Sequence, residues 1–277
     1  MASRNAALLV LALGMTLTAC ATGGPSRSSS SSPSLPSPTR SVAAAPTVST
    51  MATPTAMPAP TCPNNVMDVS DFSPLEVETY CVEPVATDIQ VFYDIPAEGW
   101  MSWFGAFKPG LPTDPPHSVV GLSILNVTNV VQDGCTGHVA ADPPIGPTVD
   151  AMATALAGLS PFDLTKPPTA VTAFGFSGKH LELTVPDLAV ELTDDGDAVF
   201  TDCTDGELWS WIGAPLSFAY HGYTHPGQVE EIWLLDVDGQ RLMIVAGTSP
   251  GSSASTTVAS SPASPEPGSL TWMVFVW

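Results

Sequence analysis

The sequence predicts an α+β fold: an antiparallel β-sheet covered by one or a few helices and carried behind a disordered N-terminal tether. Three observations lead there. Residues 229–237 and 240–246 are apolar strands around Asp238-Gly239, the dipeptide suited to a two-residue type I′ turn. Residues 148–159 carry one capped amphipathic helix, whereas most other apolar residues fall in short alternating or β-branched runs. The first 61 residues hold no Asp or Glu and all 27 acids of the chain follow them, so composition changes where folding is expected to begin.

The N-terminus opens with Arg4 and an apolar run over residues 6–17, the pattern of an export signal and too short to span a bilayer. Leu17-Thr18-Ala19-Cys20 closes that run and resembles a bacterial lipobox. The resemblance implies a signal peptide at residues 1–19 and a diacylglycerol on the Cys20 sulfur. It also implies acylation of the new N-terminus by a fatty acid such as palmitate. The expected location is therefore the extracytoplasmic face of the cell membrane, with the membrane reached through the lipid anchor. Two acyl chains, at roughly 0.8 kcal/mol per buried CH₂, hold firmly without a basic patch.

Residues 20–61 form the expected tether. Eight prolines lie between positions 21 and 61, together with a serine run at 28–32. Such a segment cannot bury enough apolar surface to offset chain entropy. Its reach is roughly 130 Å fully extended and about 35 Å as a coil.

Residues 62–277 are expected to form a single exported domain. Its 27 acids face only Lys108, Lys166, Lys179 and Arg241, a formal charge of −23 against −20 for the whole chain. That surface repels phosphate backbones and excludes nucleic acid as a partner. With Cys20 assigned to lipid, Cys62, Cys81, Cys135 and Cys203 remain, an even number that fits two disulfides in an oxidising compartment. Of three connectivities, Cys62 with Cys81 and Cys135 with Cys203 is favoured. The first joins near neighbours, and the second ties the loop before the helix to the acidic loop before Trp209. No spacing matches a structural zinc site.

Taken in order, residues 89–95 alternate as a strand that ends at Pro96 and Gly99, and residues 100–107 and 119–131 continue an antiparallel meander. In the helix, Thr148 is the cap and Asp150 complements the N-terminal dipole. Val149, Met152, Ala153, Leu156 and Leu159 share one face, and Pro161 stops the helix. Leu181, Leu183 and Val185 then alternate with His180, Glu182 and Thr184, which places His180 on the solvated face. After the Asp-Gly hairpin, residues 247–268 are Ser/Pro-rich and lead to a last strand at 270–277.

Candidate chemistry is sparse. Asp194, Asp195, Asp197, Asp202, Asp205 and Glu207 crowd one segment, but the glycine at 196 comes too early for a calcium-binding EF-hand loop. His221 and His225 are four apart, yet Gly222 and Pro226 argue against a helix that would pair them. Gly175-Phe176-Ser177-Gly178 lacks the spacing of a nucleophile elbow and reads as a turn. No catalytic residue, metal site or cofactor is therefore assigned. The ligand-binding candidates are aromatic: Trp209 and Trp211 on one side of a strand, with Tyr220 and Tyr223 soon after.

From position 91 onward the chain is similar to a group of actinobacterial lipoproteins of uncharacterised function. The similarity is carried by Ile95-Pro96-Ala97-Glu98-Gly99-Trp100, the cysteine and helix at 135–159, Gly175-Phe176-Ser177-Gly178-Lys179, and Trp233-Leu234-Leu235-Asp236-Val237-Asp238-Gly239. The Pro-x-x-Gly-Trp segment and the late Asp-Gly hairpin also resemble the PsbP-like fold, which implies an antiparallel sheet between helices. The chain departs from that pattern at 252–267, a poor helix former. The expected function is a non-catalytic binding or accessory lipoprotein of the cell envelope, acting on an envelope protein or a glycan. Two alternatives are a carbohydrate or cell-wall module that uses the aromatics and a secreted hydrolase.

Overall fold

Val, Ile, Phe, Trp and Tyr make up just over half of the apolar residues after position 61, and they pack best on a pleated surface. The computed structural model describes residue 62 and residues 64–114, 118–193, 198–213, 222–252, 258–260 and 272–275. Cys20, the tether, Asp194, Asp195, Asp197, Tyr220 and His221 lie outside the described residues.

Six strands come first: β1 (Thr79–Val82), β2 (Val91–Asp94), β3 (Met101–Trp103), β4 (Gly105–Pro109), β5 (Val119–Leu125) and β6 (Val127–Val130). The helix α1 (Val149–Ala157) precedes β7 (Asp163–Ala173), β8 (Phe176–Thr184), β9 (Val190–Leu192), β10 (Ala198–Phe200) and β11 (Trp211–Gly213). The chain then makes β12 (Val229–Val237), β13 (Gln240–Thr248), β14 (Val258–Ser260) and β15 (Trp272–Phe275). Seven strands form a central sheet in the order β3-β4-β5-β13-β12-β8-β7, every neighbour antiparallel. A second sheet runs β1-β2-β15-β14, and β11 pairs with β6 and β10 with β9.

The α+β expectation is corrected here. Strands account for 45% of the described residues and helices for 9%, with one α-helix among them, so the fold is β-rich and not a sheet covered by helices. Length explains the difference. Nine helical residues span about 14 Å, whereas seven strands spaced by about 4.8 Å extend across roughly 29 Å. The helix covers one part of one face, and strands cover much of the rest.

Alternation along the central strands feeds two cores. Trp233, Leu235 and Ile244 join Tyr93, Val91 and Val82 on the face toward β1 and β2. Ile232, Leu234 and Met243 join Met152 and Leu156 of α1 on the opposite face. The helix begins as expected, with the Thr148 hydroxyl accepting from Ala151 N–H. Asp238 (φ 50°) and Gly239 (φ 84°) both take positive φ in the β12-β13 turn, the requirement that selects Asp-Gly there. Strand β7 escaped the sequence reading. It is a sheet edge exposed along most of its length, so it shows no apolar alternation and tolerates Pro167 and Pro168.

The His180 expectation also needs revision, because its ring is half-buried against Trp233, centroids 4.7 Å apart. Beside it, Glu182 and Glu231 sit directly opposite across β8 and β12. Lys166 Nζ bridges this like-charged pair, 2.5 Å from Glu182 and 2.7 Å from Glu231. Burial lowers the His180 pKa, with Lys166 adding to that and Glu231 and Glu182 opposing it. Burial also acts to raise Glu182, but hydrogen bonds from Lys166 and Thr165 outweigh it and hold the carboxyl below its ordinary range.

Both groups bind fewer protons folded than unfolded, so their contributions grow with pH. For His180 the contribution is complete above the ordinary histidine value of 6.5 and is lost as pH falls below it; for Glu182 the loss begins below 4.5. Relief of acidic self-repulsion works the other way. The decisive measurement is therefore the stability difference between the native protein and His180→Gln, from denaturant midpoints at pH 8 to 4. The native protein is expected to lose stability faster below pH 6.5. Parallel curves would show that His180 does not titrate differently on folding.

Candidate functional site

The helix α1 packs on β7, β8 and β12 of the central sheet, and the sheet continues beyond it through β13, β5 and β4. Strand register builds a row there: Glu230 on β12 opposes Gly247 on β13, Gly247 opposes Gly121 on β5, and Gly121 opposes Phe107 on β4. Two adjacent glycines thus separate a carboxylate from an aromatic ring. The first makes room for the acid, because a Cβ on Gly247 would stand 3.1 and 3.2 Å from the Glu230 carboxylate oxygens. Glu230 is only 2% exposed, and its Oε1 accepts a 2.7 Å hydrogen bond from Gln228 Nε2.

A rigid loop assembly faces this floor. The Cys135–Cys203 disulfide, with Cα atoms 4.5 Å apart, joins the loop after β6 to the short 3₁₀ turn Thr204–Gly206. Asp133 Oδ1 accepts from the backbone N–H groups of Cys135 (2.9 Å) and Thr136 (2.8 Å). Burial alone would raise that carboxyl, but these bonds and others from Ser160 and Thr136 hydroxyls keep it below its usual range. Thr204 N–H donates to Cys135 O and Trp209 N–H to Gly134 O, both at 2.8 Å.

Trp209 is held from three directions. Its backbone is fixed as above, its Nε1 donates to Glu207 Oε2 at 2.8 Å, and the His138 ring stacks on it at 4.2 Å with an interplanar angle of 10°. His138 sits at φ 46° after Gly137 at φ 74°, and its Nε2 lies 3.0 Å from Glu207 O. A half-buried indole is thereby locked as a wall.

Between floor and wall lies a cleft of about 880 Å³. Its lining includes Trp209, Trp211 and Tyr223 together with the cluster of Phe72, Trp103 and Phe107. Phe72 is 56% exposed at φ 61° and packs on Trp103 and Phe107, at 4.8 and 5.6 Å. This size and lining suit a small ligand.

The structure brings together three of the four aromatic candidates. Trp211 is mostly core, 2% exposed, and pairs with Val130 of β6. Tyr223 is 6% exposed, and burial first and the Glu230 carboxylate second push its phenol well above the usual range. Glu230, Gln228, His138 and Phe72 were not singled out from the sequence. Glu230 had a signal, since it shares strand phase with the buried Ile232 and Leu234 and so faces inward.

The other sequence features lie apart from any such assembly. Phe174 and Gly175, at φ 56° and 84°, form the tight turn between β7 and β8, and Ser177 is exposed. His225 Nδ1 lies 2.9 Å from Thr224 Oγ1. Asp202 and Asp205 are exposed, and among the described residues no group of three or more His, Cys, Asp or Glu could hold a metal ion. Cys62 pairs with Cys81 at a Cα separation of 5.9 Å, tying the start of the domain to β1. Among the described residues no helix is long and apolar enough to cross a membrane. No protein family, no curated protein and no solved structure matches the chain.

Proposed function

We propose that the chain is a membrane-anchored extracytoplasmic lipoprotein that works as a non-catalytic binding or accessory protein of the cell envelope, with the cleft as its ligand site. The cleft carries this reading: an aromatic-lined space of about 880 Å³ whose wall is braced by a disulfide, a ring stack and backbone hydrogen bonds. Preorganised walls favour binding because less ordering is needed when a ligand arrives. Two disulfides suit an oxidising compartment outside the cytoplasm.

The test has two parts. Cys20→Ala is expected to abolish incorporation of labelled fatty acid, and labelling that survives the change removes the anchor. Native mass spectrometry of protein exposed to an envelope extract is expected to show a bound small molecule that Trp209→Ala releases. Turnover of an ester, peptide or glycoside by the purified protein would replace the binding reading with the hydrolase one. A carbohydrate reading draws support from Trp209, whose ring is stacked by His138 as a flat platform. Retention on purified cell wall that Trp209→Ala abolishes would select it.

A further inference from the structure

We infer that the cleft takes a small organic cation, an amine or quaternary ammonium group on an apolar body. This rests on the reading of the cleft as a ligand site and adds the chemistry it selects.

The first support is the sign of its charge. Glu230 and Glu207 contribute carboxylates to the lining, and no Lys, Arg or His is among the described lining residues. None of the four Lys and Arg residues of positions 62–277 is among the described lining residues. Lys166 bridges Glu182 and Glu231, and Lys179 lies 3.2 Å from Asp150. Arg241 donates to the carbonyls of Gly146, Thr148 and Val127. Lys108 follows Phe107 in β4, so strand alternation sends it to the opposite face. Among the described lining residues the ionisable groups with a defined sign are therefore acidic, and charge interactions away from bulk water are weakly screened.

The second support is the shape of the floor. The Glu230 carboxylate lies over Gly247, and Phe107 stands two strand positions further on. That gap is about 10 Å across, two inter-strand spacings. Gly121 floors it along this row, and a Cβ there would meet nothing closer than Phe107 Cβ at 3.5 Å. A cationic head beside Glu230 would then leave an apolar body lying across Gly121 toward Phe107 and Trp103. Aromatic faces carry negative charge density and attract cations as well as apolar groups. An anionic or fatty-acid ligand would meet repulsion from the same lining.

The experiment uses three probes of matched size: phenethylammonium, 2-phenylethanol and 3-phenylpropionate. Each is titrated into the full chain carrying Cys20→Ala, followed by tryptophan fluorescence and calorimetry at low and physiological salt. The cation is expected to bind at least tenfold more tightly than the alcohol, with the anion weakest and the preference shrinking as salt rises. Glu230→Gln is expected to reduce cation affinity about tenfold and leave the alcohol unchanged. Because Glu230 is buried, the more exposed Glu207→Gln serves as a second variant, with a smaller loss in the same direction. The charge series on the unaltered cleft decides the matter if Glu230→Gln does not fold. Equal or tighter binding of the alcohol or the anion overturns the cation inference and leaves the cleft as a ligand site. Binding of none of the three, with fluorescence unchanged, overturns it as well, and native mass spectrometry of the envelope extract then judges the site by itself.

Discussion

Removing the Cys135–Cys203 disulfide with paired alanine substitutions is expected to lower stability by about 4 kcal/mol on the chain-entropy estimate for a closed loop spanning 68 residues. The same change at Cys62 and Cys81, 19 residues apart, is expected to cost about 3 kcal/mol. The longer loop holds α1 and β7 to β10, so its release frees more of the unfolded chain. It also loosens one anchor of the cleft wall, while the backbone bonds from Thr204 to Cys135 and from Trp209 to Gly134 remain. Denaturant unfolding of the two double variants measures the order. A loss under 1 kcal/mol at Cys135 and Cys203 would mean that the backbone bonds alone hold this region. A red-shifted tryptophan emission with little change in midpoint would locate the damage in the Trp209 wall.

Leu234→Ala is expected to cost about 3 to 4 kcal/mol, the range for a buried leucine whose cavity cannot close. Leu234 is fully buried, in the cluster with Met152, Leu156, Leu181 and Met243. The cavity would open between the helix and two central strands. Each of those strands is tied on both edges by neighbouring strands, which limits collapse. Leu192→Ala is the control, because Leu192 is 65% exposed and its change should stay within about 0.5 kcal/mol. Equal losses at the two positions would contradict the two-core arrangement.

The candidate site was partly legible. Trp209, Trp211 and Tyr223 are aromatics close in sequence, and the structure does bring them to one cleft. Their burial was not legible, since a tryptophan in a strand reads the same whether it fills a core or lines a wall. Glu230 was missed because Glu230-Glu231 looks like a solvated pair, whereas only Glu231 is half-exposed, on the opposite face of the sheet beside Lys166. His138 and Phe72 lie in loops without periodicity, so nothing in their neighbourhood marks them. Fold class failed for a related reason. A capped nine-residue helix is conspicuous, whereas edge strands such as β7, exposed and interrupted by prolines, carry no apolar signal.

What the sequence by itself determined are features set by a few neighbouring residues. Asp238-Gly239 supplies the positive φ values of its turn, Thr148 caps α1, and alternation sends Ile232 and Trp233 to opposite faces. These follow from local sterics and hydrogen bonding, which act within a turn or two of chain. Only the tertiary structure decided that strands dominate both layers and that a buried acid faces an aromatic wall across two glycines. That row joins positions 107, 121, 247 and 230, and its assembly depends on register across four strands. Register is chosen by the packing of both faces at once, a free energy that no single segment carries.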